Sequence, residues 1–191
     1  MAKKNRMYEI KIPKGALVAL CAAQNSGKTW FWKKHFEGVP NCTILCVDDI
    51  CYKVIDEADD SDTTESIHAK INQISSRIAS EAYFYRRTLV YDSMDIDCLK
   101  RLTELMKFRP YFSKIILIVI DLDEKELAKH GVKTTPPKAA EYGYSHPNAE
   151  VCKANAVKVK EQIADKSIGL GVDKVYRLTS KTLNRCCVTI E

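Results

Sequence analysis

"ALVALCAAQNSGKTWFWKKHF", residues 16–36, decides how the rest of the chain is read. An apolar run ends at Ala22, Ser26-Gly27-Lys28-Thr29 follows, and a helix-like stretch continues to Phe36. Continuous apolar residues mark a strand buried on both faces of a parallel sheet. The junction is one residue short of the phosphate-binding pattern G-x-x-x-x-G-K-[S/T], because Ala22 holds the first glycine position. A strand–loop–helix turn aims several backbone N–H groups at one point, and the helix dipole strengthens it as an anion site. Ala23, Gln24, Asn25, Ser26, Gly27, Lys28 and Thr29 are therefore candidates for cradling nucleotide phosphates. Gly27 permits close backbone approach, Lys28 reaches the β- and γ-phosphates, and Thr29 offers its hydroxyl to Mg2+. Ala22 costs little if its φ is negative and about 1 kcal/mol or more if it is positive.

Outward from this stretch, apolar runs alternate with helical patterns. Residues 7–12, "MYEIKI", alternate like an edge strand, and 42–49, "CTILCVDD", read as a strand ending in Asp48 and Asp49. "TLVYD" (88–92) is a further strand ending in Asp92, "KIILIVIDL" (114–122) a buried one, and "KVYRLT" (174–179) and "CCVTI" (186–190) are the last. Between them, Ile67, Ile71, Ile74 and Ile78 repeat at helical spacing after a cap at Thr63 or Thr64. Leu99, Leu102, Leu105 and Met106 share a face of a helix over 95–108, with Asp95 as its cap. A helix starts over 123–130, residues 131–147 are loop-like with two consecutive prolines, and 148–165 return to helix. The acidic run 56–65 reads as a solvated loop.

Strands separated by helices at this rhythm predict an α/β protein, a parallel sheet of about five strands flanked by helices on both faces. Ligands of such sheets sit at the carboxyl ends of the strands. The phosphate loop, the Asp48-Asp49 pair and Asp92 all fall there. Asp92 suits Mg2+, directly or through water, and Asp48, with Asp49 as the alternative, suits accepting a proton from an attacking hydroxyl.

The chain of 191 residues, 46% apolar and 29% charged, fits one soluble globular domain over 1–191. No apolar run approaches the roughly 20 residues that span a bilayer, so no membrane association is expected. The N-terminus lacks the apolar stretch of a secretory signal. The eight cysteines contain no C-x-x-C pair and several lie in apolar runs, which predicts reduced, buried thiols and a cytoplasmic setting. A net charge of +5 permits a polyanionic partner. Lys33, Lys34, Arg86 and Arg87 are the basic candidates for one, and Trp30 and Trp32 are read as packing for the first helix.

With these residues in view, the chain resembles the P-loop polynucleotide 5′-hydroxyl kinases of nucleic-acid repair. The resemblance runs through "YEIKIPKGALVAL", "GKTWFWKKHF", "ILCVDDIC" and "TLVYDSMD", and covers most of the chain. It implies a P-loop NTPase-type sheet, ATP and Mg2+ as cofactors, Lys28 and Asp48 or Asp49 as catalytic groups, and Thr29 and Asp92 at the metal. It further implies a nucleic-acid acceptor phosphorylated at its 5′-hydroxyl. The family carries an arginine three residues after its aspartate; Cys51 and Tyr52 stand there, with Lys53 beside them. The lid region, 123–147, has no arginine but has Lys125, Lys129, His130, Lys133 and Lys138. Lys129 and Lys133 are the candidates for the donor phosphates. A small-molecule kinase and a degenerate nucleotide-binding module are the alternatives. The acceptor and the oligomeric state stay open at this point.

Overall fold

The computed structural model describes residues 7–92, 96–129 and 134–191. Its elements are, in order, β1 (Tyr8–Ile12), β2 (Leu17–Ala22), α1 (Lys28–His35), β3 (Cys42–Cys46), α2 (Val47–Asp56), α3 (Thr64–Phe84), β4 (Thr88–Asp92) and α4 (Cys98–Phe108). There follow β5 (Ile115–Asp121), α5 (Glu124–Lys129), α6 (Pro137–Glu141), α7 (Ala149–Ala164), β6 (Lys174–Thr179), α8 (Ser180–Leu183) and β7 (Cys186–Ile190). The main sheet has five strands in the order β3-β4-β2-β5-β6, all parallel. The fold is thus α/β, as the alternating pattern predicts.

The strand order places the site. The chain leaves β2 toward one side of the sheet, builds β3 and β4, then crosses to build β5 and β6 on the other. Such a reversal opens a crevice at the carboxyl end of the central strand. β2 and β5 are buried at every residue, as strands covered on both faces must be.

Successive side chains point to opposite faces. Val18, Leu20, Ala22, Val90, Ile116, Ile118 and Ile120 join one core with Phe31, Trp32 and Phe36 of the first helix region. Leu17, Ala19, Cys21, Leu89, Tyr91, Ile115, Leu117 and Val119 join the other with Ala82 of α3 and Leu105 of α4. By this alternation Asp92 follows Val90 onto the α1 face, and that parity brings it to the phosphate loop.

The structure corrects several local expectations. β3 stops at Cys46, opposite Asp92, so Asp48 and Asp49 lie in the first turn of α2 rather than at a strand end. Carboxylates there complement the positive end of the helix dipole. The stretch 131–147 is not all loop: Pro137 opens α6, because a proline's missing N–H is not needed at a first helical position. Thr63 caps α3 in a capping box with Ser66. Asp97 caps α4, accepting from the N–H groups of Leu99 and Lys100 at 2.9 and 3.0 Å, while Asp95 lies outside the described residues. The leucine stripe of α4 does not hold: Leu99 and Met106 are 65% and 47% exposed, and Arg101 is buried beside Leu105. Finally, β1 and β7 pair with each other in a separate parallel ribbon. Tyr176 ties that ribbon to β6 by accepting from the Lys11 N–H at 3.1 Å and donating to the Lys11 carbonyl at 3.0 Å.

Candidate active site

β2 ends at Ala22, paired with Ile120 and 1% exposed. Ala22 is absent from the positive-φ residues, so its methyl group costs the loop nothing. The left-handed positions fall later, at Asn25 (φ 63°) and Gly27 (φ 88°). Asparagine tolerates that region and glycine occupies it without strain. The hydroxyl of buried Ser26 donates to the Ala23 carbonyl, closing the turn. Gly27 then caps α1.

Side chains stand where such loops often carry glycine, and α7 takes them up. Gln24 accepts from the Asn155 amide at 2.8 Å, and Asn25 donates to the Cys152 sulfur at 3.6 Å. The loop is therefore clamped to α7 through its side chains.

A cavity of about 280 Å3 opens at this loop, lined by residues 23–29 with Trp30, Asp48, Asp92 and His146. Lys28 Nζ lies 3.6 Å from Asp92 Oδ1, and the Trp32 indole N–H donates to Asp92 Oδ2 at 3.0 Å. Burial pushes the Asp92 carboxyl above its ordinary range; Lys28 opposes this, and the charge of Asp48 adds to it. The Cys46 thiol, next to these carboxylates, is pushed up to about 12, first by burial. It is therefore no thiolate nucleophile.

Asp48, on the first turn of α2, faces this cavity; Asp49 is not part of its lining. Lys129 is exposed at the end of α5 and pairs with Glu126 at 2.8 Å, outside the lining. Lys133 and His130 lie outside the described residues. Lys138 donates to the carbonyls of Asp56 and Ala58 at 3.0 and 2.9 Å, closing the end of α2. Arg86 and Arg87 precede β4, at the opposite end of the sheet from the loop.

Two features of the site carry no local signal in the sequence. Trp32 anchors Asp92 from 60 residues away. His146 enters the cavity from the segment after α6, with its Nε2 2.7 Å from the Tyr52 hydroxyl. A larger hollow of about 380 Å3 lies between α3 and α4, floored by Leu45, Tyr91 and Phe112. It does not include the phosphate loop, so its size carries no chemistry by itself.

The oxygen donors of Thr29 and Asp92 are hard ligands of the kind Mg2+ takes. Among the described residues no cluster of three His, Cys, Asp or Glu side chains could hold a metal unaided. That donor set fits an ion held largely by nucleotide phosphates and water.

No protein-family model matches the sequence, and no curated protein matches it. Solved structures do. A chain of the Pnkp1/Rnl/Hen1 RNA repair complex matches 85% of this chain at 20% identity, with a TM-score of 0.56, over 49% of its own length. A second structure of the Pnkp1/Rnl/Hen1 complex matches 70% at 19% identity, with a TM-score of 0.50, over 43% of its length. The chain thus spans about half the length of these two. Shikimate kinase from Bacteroides thetaiotaomicron matches 85% at 10% identity, with a TM-score of 0.46, over 86% of its length. The likeness is one of fold. Among the described residues no helix is long and apolar enough to cross a membrane.

Proposed function

We propose that this chain transfers the γ-phosphoryl group of ATP to the 5′-hydroxyl of RNA or DNA. One observation carries the reading: Lys28, Asp92 and Asp48, from three separate elements, line one cavity with the phosphate loop. The loop amides and the α1 dipole receive the β- and γ-phosphates. Lys28 exchanges its Asp92 partner for phosphate oxygens. Thr29 and Asp92 are the residues that would hold Mg2+, which when bound neutralises charge on the phosphates. Asp48 accepts the proton of the attacking hydroxyl. The acceptor oxygen forms a bond to the γ-phosphorus, the bond from that phosphorus to the bridging oxygen breaks, and ADP leaves.

The nucleic-acid acceptor is supported by the fold shared with a chain of the RNA repair complex and by the exposure of Asp48 at the cavity mouth. The test is labelled ATP with 5′-hydroxyl RNA, 5′-hydroxyl DNA and free nucleosides. The oligonucleotides should be labelled, and Asp48→Asn should abolish labelling while still binding ATP. Label on nucleosides alone would overturn the acceptor. Transfer at the wild-type rate by the variant would overturn the role of Asp48.

A further inference from the structure

His146 is brought to the phosphate cavity by a segment fixed at several points. Its backbone N–H donates to Thr135 Oγ1 at 2.7 Å. Nearby, the Tyr144 ring meets His68 of α3 edge-on, with centroids 5.5 Å apart. Lys138 binds this segment to the end of α2. The imidazole itself is held through Nε2, 2.7 Å from the Tyr52 hydroxyl. Tyr52 follows Asp48 by four residues on α2, so the two stand one turn apart on the same side of the helix.

That contact engages Nε2 and leaves the other ring nitrogen, Nδ1, outside it. Burial, then the charges of Asp48 and Cys51, push the Tyr52 phenol above its ordinary range, so it keeps its proton. Where the phenol donates to Nε2, a neutral imidazole carries its own proton on Nδ1. Among the described lining residues, Lys28 is the one permanently charged cation. A triphosphate in this cavity needs further donors, and the wall beside Asp48 offers His146.

Resting on the nucleotide site proposed above, we propose that Tyr52 sets His146 with Nδ1–H toward the cavity, where it donates to a non-bridging oxygen of the terminal phosphate. His146 is then the residue that distinguishes ATP from ADP. Nothing covalent is required of it.

The chain's two tryptophans report binding without any acceptor: Trp30 lines the cavity, and Trp32 is bonded to Asp92. Dissociation constants for ATP and ADP are read from their fluorescence. His146→Ala should weaken ATP about tenfold, the scale of one hydrogen bond to a charged group, and leave ADP unchanged. Lys28→Met should weaken both. His146→Asn puts an amide N–H near the place of Nδ1 and should retain ATP preference; His146→Gln puts it near Nε2 and should not. Tyr52→Phe should lose part of the preference. Equal losses for ATP and ADP in His146→Ala, no loss in either, or rescue by Gln as good as by Asn would each overturn the assignment. A wild-type protein that binds no ATP overturns this inference and the nucleotide site together. One that binds ATP but labels no 5′-hydroxyl overturns only the acceptor, and the ATP-to-ADP ratio still decides His146.

Discussion

Lys28 and Arg101 are both cations withdrawn from water, and their surroundings differ. The Arg101 side chain is fully buried against the second core. Its guanidinium donates to the carbonyls of Ile96 and Ile168 at 3.1 and 3.4 Å and to Gln162 Oε1 at 2.9 Å, joining α4 to α7 and the turn after it. Lys28 keeps 21% of its side chain exposed and holds one carboxylate at 3.6 Å, a long contact. A cation that serves the fold is held by several fixed acceptors. A cation that serves a ligand is left with a loose partner it can exchange.

The largest effect expected is on the structural side of this contrast. Arg101→Leu leaves the buried Ile168 carbonyl and the half-buried Gln162 oxygen without their donor. Each such orphan costs about 1–3 kcal/mol, so the loss should be about 2 kcal/mol or more. That is a large part of the roughly 5–15 kcal/mol that holds a domain together. Urea unfolding should show the drop, while ATP affinity of the folded protein at low temperature stays at the wild-type value. A loss below about 1 kcal/mol would erase the distinction between the two cations.

The site should respond in the opposite sense. The folded protein holds the Asp92 proton more tightly than the unfolded chain, because burial outweighs the help of Lys28 and Trp32. Between the ordinary carboxylate value of 3.8 and the raised folded value, the folded state binds more protons. Stability from this group therefore falls as pH rises through that window, and the deficit is complete above it. Asp92→Asn should accordingly be more stable than wild type at neutral pH, by less than the Arg101 loss, with the gap closing as pH falls toward 3.8. Phosphoryl transfer should fall on the order of 100-fold in the same protein. Melting temperatures across pH, set beside transfer rates, would show the two effects moving apart. A variant less stable than wild type at neutral pH would place Asp92 with the structural groups.

Much of this contrast was readable in the chain, and the unreadable part has a physical cause. β2, β4 and β5 announce themselves because strands buried on both faces need uninterrupted apolar residues, and the loop after β2 carries its own local pattern. Asp92 could be placed by its position at the carboxyl end of a strand. Arg101 could not, because hydropathy assigns arginine to the surface and its acceptors lie up to 67 residues away. His146 sits among Pro, Tyr and Gly residues that read as loop, and its partner Tyr52 is 94 residues distant. The helix starting at Pro137 was hidden by a residue that stops helices inside and starts them at the first position. Local patterns report local hydrogen bonding and burial; contacts closed by the fold leave no such trace.

The smallest effect concerns the feature that made the loop doubtful. Ala22 stands where the phosphate-binding pattern has glycine, and restoring the pattern by Ala22→Gly would improve the loop only if the backbone there needed a positive φ. The left-handed turns instead fall at Asn25 and Gly27, while Ala22 is still paired to Ile120 within the sheet and packed against the first core. Glycine at a strand residue adds freedom to the unfolded chain and removes a buried methyl group. Ala22→Gly should therefore cost about 0.5–1 kcal/mol in urea unfolding and leave ATP affinity where it was. A gain in affinity would mean that the loop relaxes on binding into a shape that the alanine resists, and the loose side of the comparison would then include the end of β2 as well as Lys28.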